Sequence, residues 1–115
     1  MADYIQISTT VEHKKDAEAI ARELLDKRLA ACVQIMGPMT SFYWWNDTID
    51  QAAEYLCLIK SRRDLYPEAE AAIKKNHSYE VPEIIATPIV AGARDYMAWL
   101  DAELRGPQKS YREEG

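Results

Sequence analysis

The chain has 115 residues, 48% hydrophobic and 29% charged, with a formal net charge of -5. That length and balance suit one domain with a real core and exclude a disordered chain. The acidic balance argues against nucleic acid or an anionic membrane as the main partner, and no apolar run approaches the length of a membrane span.

Residues 4–9 (Tyr-Ile-Gln-Ile-Ser-Thr) read as a short strand. A helix follows over about 14–28, with Ala17, Ile20, Ala21, Leu24 and Leu25 at the spacing of one buried face. Glu18 with Arg22, and Glu23 with Lys27, stand four apart in the favourable order on its solvent side. Residues 31–45 form one long, bent strand, interrupted at Gly37-Pro38 because proline has no N–H to give to a ladder. Its end is Phe42-Tyr43-Trp44-Trp45, and the return arm is Tyr55-Leu56-Cys57-Leu58-Ile59. Between the arms lies Asn46-Asp47-Thr48, where Asn and Asp tolerate the left-handed backbone of a tight turn.

Side chains alternate across a strand, so four consecutive aromatics put two large rings on each face. A domain of this size has one core, so one pair must be covered by something else. Asp64 is placed to cap a second helix, with Pro67 in its first turn, Leu65, Ala69, Ala72 and Ile73 inward, and Lys74 and Lys75 at its C-terminal end. Residues 81–90 read as a strand with two prolines, which cannot be fully paired on both sides. A third helix spans about 94–105, with Tyr96, Met97, Leu100 and Leu104 inward, and Gly106-Pro107 stops it. Residues 1–106 make a single domain and 107–115 a flexible polar tail. The order β-α-β-β-α-β plus a terminal helix is that of an α+β ferredoxin-like sandwich with a long hairpin, leaving one sheet face bare for another subunit.

Several stretches carry a resemblance: Leu29-Ala30-Ala31-Cys32-Val33, the aromatic arm, Ile59-Lys60-Ser61-Arg62, the H-x-Y-E-x-P-E stretch from His77 to Glu83, and Asp95-Tyr96-Met97-Ala98-Trp99-Leu100. Together they resemble the CutA divalent-cation-tolerance family over almost the whole chain. The resemblance implies a cytoplasmic homotrimer with a ferredoxin-like core, linked to tolerance of divalent metals and of copper in particular. Copper-binding members place a cysteine just after the first strand and two adjacent histidines before the tyrosine motif. Here those positions are Thr9 and Asn76-His77, so one of three ligands matches.

His77 is therefore the expected metal ligand, with Glu83 as the better carboxylate helper and Glu80 facing solvent. Neutral imidazole and carboxylate suit Cu(II) or another divalent ion, bound weakly, and no cofactor is required. A histidine just past a helix end also simply offsets the dipole. Tyr43, Trp44, Trp45 and Tyr55 are the expected interface residues. Cys32 and Cys57 read as reduced, buried small hydrophobes, and Lys60, Arg62 and Arg63 as a solvated cluster or partners of acids across an interface. Met1-Ala2-Asp3-Tyr4 lacks a secretory pattern, which agrees with a cytoplasmic location. No G-x-S-x-G, phosphate loop or dinucleotide fingerprint is present, so no enzyme is expected. The alternative, by fold analogy alone, is a PII-like trimeric signalling protein that binds a small molecule in inter-subunit clefts.

Overall fold

The computed structural model describes residues 4–106. The expected tail, 107–115, lies outside the described residues. Strand β1 is Tyr4–Val11, helix α1 Lys14–Asp26, β2 Cys32–Trp45, β3 Thr48–Arg62, α2 Tyr66–Lys75, β4 Ile84–Pro88 and α3 Arg94–Glu103. The sheet order is β2-β3-β1-β4 and every neighbouring pair is antiparallel. This is the α+β ferredoxin-like arrangement. No helix among the described residues is long and apolar enough to cross a membrane.

Alternation along β1 and β3 decides where the core lies. Ile7 stands opposite Ile59 and Thr9 opposite Cys57, and all four are fully buried. Ile7, Cys57 and Ile59 pack with Ile20 and Leu24 of α1 and Ile73 of α2 in one hydrophobic cluster. Burial pushes the Cys57 thiol up to about 11, so it stays an inert, protonated core residue. Cys32 is only half-buried, unlike the expectation. Leu25, expected inward, is 40% exposed. It lies about 100° round the helix from Leu24, which takes the inward position. The expected Glu23–Lys27 pair forms at 2.7 Å.

The hairpin outruns everything around it. Strand β1 pairs with β3 only over Tyr55–Arg62, so the stretch of β3 from Thr48 to Glu54 has β2 alone as a neighbour. At about 3.3 Å per residue this overhang is roughly 20 Å long, and it stretches the protomer to 52 × 25 × 21 Å. Asn46 and Asp47 both take positive φ, 50° and 64°, and make a two-residue turn between Trp45 and Thr48. At the expected interruption, Gly37 and Pro38, joined by a cis peptide, stand opposite the single residue Tyr55. A Cβ at Gly37 would lie 2.7 Å from the Tyr55 ring and 2.9 Å from the Glu54 carbonyl oxygen, so only glycine fits this bulge.

Five expectations need correction. Asp64 does not cap α2; residues 63–65 form a 3-10 turn, Leu65 occupies the cap position, and Pro67 falls in the first turn as expected. The Asp64 carboxylate is taken by Arg62. Arg62 itself is not a solvated strand end: it is 2% exposed and also contacts Asp101 of α3 at 3.3 Å. Tyr4, directly opposite Arg62 across β1 and β3, donates its hydroxyl to the same Asp101 at 3.0 Å. Tyr4 and Arg62 alternate with the core-facing Ile5 and Ser61, so α3 packs on one end of the face expected to be bare. Its inward residues are Met97, Leu100 and Leu104, while Tyr96, expected to join them, is 41% exposed. Finally, the strand expected over 81–90 is ordered only as Ile84–Pro88. Pro82 and Glu83 precede it, and Ile5 to Thr9 of β1 pair along it.

Asp101 and Arg62 have side chains 0% and 3% exposed. Removing one member of a buried ion pair leaves the other charge stranded, a loss on the order of 3–5 kcal/mol. Asp101→Ala should therefore lower stability by about 3 kcal/mol, read as a lower urea midpoint. Arg62→Met together with Asp101→Leu should recover much of that loss.

Candidate functional site

The H-x-Y-E-x-P-E stretch forms the connection from α2 to β4. Its first residue is half-buried and held at both ring nitrogens. His77 Nε2 lies 2.9 Å from the Thr10 carbonyl oxygen of β1. A carbonyl only accepts, so Nε2 carries the proton. Nδ1 then accepts the Tyr79 backbone N–H at 3.2 Å. The Tyr79 ring lies against the imidazole with centroids 5.0 Å apart, and its hydroxyl donates to Glu54 Oε2 at 2.8 Å. The result is one continuous chain of bonds from β1 through His77 and Tyr79 to Glu54 at the base of the hairpin overhang. Burial first, then the Glu54 carboxylate, pushes the Tyr79 phenol well above its ordinary range, so it acts only as a donor.

Asn76 is equally committed. Its amide donates to Glu23 Oε1 at 2.8 Å and to the Ala72 carbonyl at 2.9 Å, tying the end of α2 to α1. Lys27 and Lys75 join the same carboxylate at 2.7 and 3.1 Å. These donors, Lys27 foremost, hold Glu23 down to about 2. Thr9, at the position of the copper-binding cysteine, is fully buried. Its hydroxyl has no hydrogen-bond partner among the described residues.

The stretch that follows His77 lines a cleft of about 740 Å³ against the hairpin. Asp50, Glu54, Glu80 and Glu83 contribute carboxylates, Tyr43, Trp45 and Tyr79 contribute rings, and among the described residues no Lys, Arg or His lines it. Alternation explains the membership. Tyr43 pairs with Asp50 and Trp45 with Thr48, and Glu54 shares the parity of Asp50 on β3. Phe42, Trp44 and Ile49 project mainly from the other face and are 68, 71 and 62% exposed. The four aromatics thus divide two and two between the hairpin faces.

Of the expected metal ligands, Glu83 stands exposed on the cleft wall just before β4, and His77 lies behind Tyr79. Among the described residues, no three His, Cys, Asp or Glu side chains are grouped so as to hold a metal ion. The described residues therefore carry no ready-made tight metal site. Tyr43, Trp44 and Trp45 are all exposed and Tyr55 is partly buried against the core. Sequence reasoning missed Glu54, which is 6% exposed. The available signal was parity: Glu54 alternates in register with Leu56 and Leu58.

Burial is the main cause that lowers the His77 pKa below its ordinary value, partly offset by the Thr10 carbonyl and the charges of Asp16 and Glu54. Protonating Nδ1 would also break its bond from the Tyr79 N–H. Below about 6.5 the unfolded chain holds a proton that the folded chain resists. Stability should therefore be full above that pH and decline as the pH falls below it. His77→Gln should flatten the dependence of the melting temperature between about pH 5 and 7, measured by calorimetry against the parent.

The sequence model described as "CutA1 divalent ion tolerance protein" matches residues 5–103. The chain is 40% identical over 101 residues to the divalent-cation tolerance protein CutA of Archaeoglobus fulgidus, covering 88% of this chain and 96% of that one. It is 41% identical over 91 residues to the Thermus thermophilus protein of the same name, covering 79% and 88%. The crystal structure of CutA1 from Oryza sativa superposes with a TM-score of 0.87 at 36% identity, covering 91% and 96%. These are names of a tolerance protein, not of an enzyme. With the family model spanning nearly all of the described fold, this chain belongs to the CutA divalent-ion tolerance family.

Proposed function

We propose that the chain acts as a homotrimer in divalent metal tolerance and binds Cu(II) only weakly. The observation that carries the assembly is the overhang. Phe42, Trp44 and Ile49 are each more than 60% exposed on a two-stranded ribbon whose outward face no other described element covers. Contiguous apolar surface of this kind is covered in soluble proteins by a partner, and a closed ring of copies is the usual solution. The sheet also has two free edges, the outer sides of β2 and β4, so that sheets of neighbouring copies can meet edge to edge. Tyr43, Trp44, Trp45 and Tyr55 are the interface residues of this reading. Sedimentation at micromolar concentration should give a single trimeric species. Trp44→Ser with Phe42→Ser should shift it toward monomer, and a parent that sediments as a monomer would sink the proposal.

For the metal, support comes from the chemistry of His77 and the carboxylate of Glu83. His77 offers Cu(II) a lone pair only when the Tyr79 N–H is displaced from Nδ1, which makes the site weak. Calorimetry should show Cu(II) affinity that holds down to about pH 6.5, the ordinary histidine value, and falls only below it, because burial keeps His77 neutral to lower pH, and that is abolished in His77→Ala. Undiminished binding in that variant would place the metal elsewhere. The PII-like alternative gains little here, because the cleft is acidic and, among the described residues, its walls carry no basic side chain to meet a phosphate.

A further inference from the structure

We propose that the cleft between the hairpin and the H-x-Y-E-x-P-E connection binds a small organic cation with N–H donors, a primary ammonium or a guanidinium group. Glu54 is its counter-ion and aromatic rings are its walls. This goes beyond the assembly and copper readings: the cleft shares Tyr79 and Glu83 with the copper reading and Tyr43 and Trp45 with the assembly reading, but it centres on Glu54, which neither of them uses.

Four observations carry it. Glu54 is a carboxylate 6% exposed that lines the cleft, and one of its oxygens receives the Tyr79 hydroxyl at 2.8 Å. Among the described residues no cation is paired with it. Its one hydrogen-bond donor among the described side chains is the neutral Tyr79 hydroxyl, and an N–H cation would supply an opposite charge and a further donor. Among the described residues the charge around it has one sign, since Asp50 and Glu83 share the walls and no Lys, Arg or His does. Such a cleft concentrates cations and excludes anions.

The walls also include Tyr43 and Trp45, and aromatic faces attract organic cations while offering an inorganic ion no ligand. The carboxylates themselves are not grouped for a metal. A bare divalent ion needs several converging oxygens, whereas an alkylammonium needs one carboxylate and an apolar surround. The cleft, at about 740 Å³, is in the size range of small-molecule sites.

The test uses the protein as it assembles in solution and n-butylammonium as the probe, at constant ionic strength, with n-butanol as the neutral control of the same shape. Tryptophan fluorescence and calorimetry should show saturable binding of the ammonium, one per protomer, and none of the alcohol. Glu54→Gln should weaken binding by at least about tenfold. Asp50→Asn, which leaves the Glu54–Tyr79 bond alone, should weaken it several-fold and guards against a folding defect in the first variant. Equal response to ammonium and alcohol, or unchanged affinity in both variants, would overturn the proposal. So would a change of oligomeric state in Glu54→Gln without any ammonium binding by the parent. That outcome would mean that a cationic side chain of a second copy fills the cleft.

Discussion

The constraint on which the rest depends is a mismatch of strand lengths. Strands β2 and β3 have 14 and 15 residues, while β1 and β4 have 8 and 5. The compact part of the domain, two helices on one face and α3 on part of the other, is finished where β1 ends. The ribbon beyond it has no core of its own, and an isolated two-stranded ribbon is marginal in water. Its sequence is nevertheless rich in large rings. Two of them, Tyr43 and Trp45, turn toward the H-x-Y-E-x-P-E connection and make a cleft, while Phe42 and Trp44 face away and are left in solvent.

The polar chain from Thr10 through His77 and Tyr79 to Glu54 follows from the same mismatch. It is placed where the sheet stops and the overhang begins, and it fixes the connection against both. The motif that looked most like a ligand set is therefore first a structural tie. Its histidine is neutral, of known tautomer, and occupied at both nitrogens. Any chemistry at this end of the molecule must either displace one of those bonds or use the carboxylates that line the neighbouring cleft.

Much of the fold was legible because it rests on local rules. Asn46 and Asp47 gave the turn, Gly37-Pro38 the bulge, and the run of four aromatics its two-faced division. What escaped the sequence was pairing at a distance. Asp64 looks like a helix cap until Arg62 takes its carboxylate, and Arg62 looks solvated until Tyr4 and Asp101, 58 residues earlier and 39 later, close over it. Pro82 and Glu83 fall in an apolar run, but β1 has partners only from Ile84 onward on that side. Glu54 is hidden for the same reason, since nothing near it in sequence announces that Tyr79 will cover it.

The central claim is that the overhang is completed by another copy of the chain. Hydrogen exchange of the backbone amides in residues 40–53 tests it most directly. The account predicts that at micromolar concentration the edge amides of this segment exchange as slowly as those of β1, and that they become fast when the protein is diluted below the dissociation constant of the assembly. Fast exchange across the segment at every concentration would contradict it.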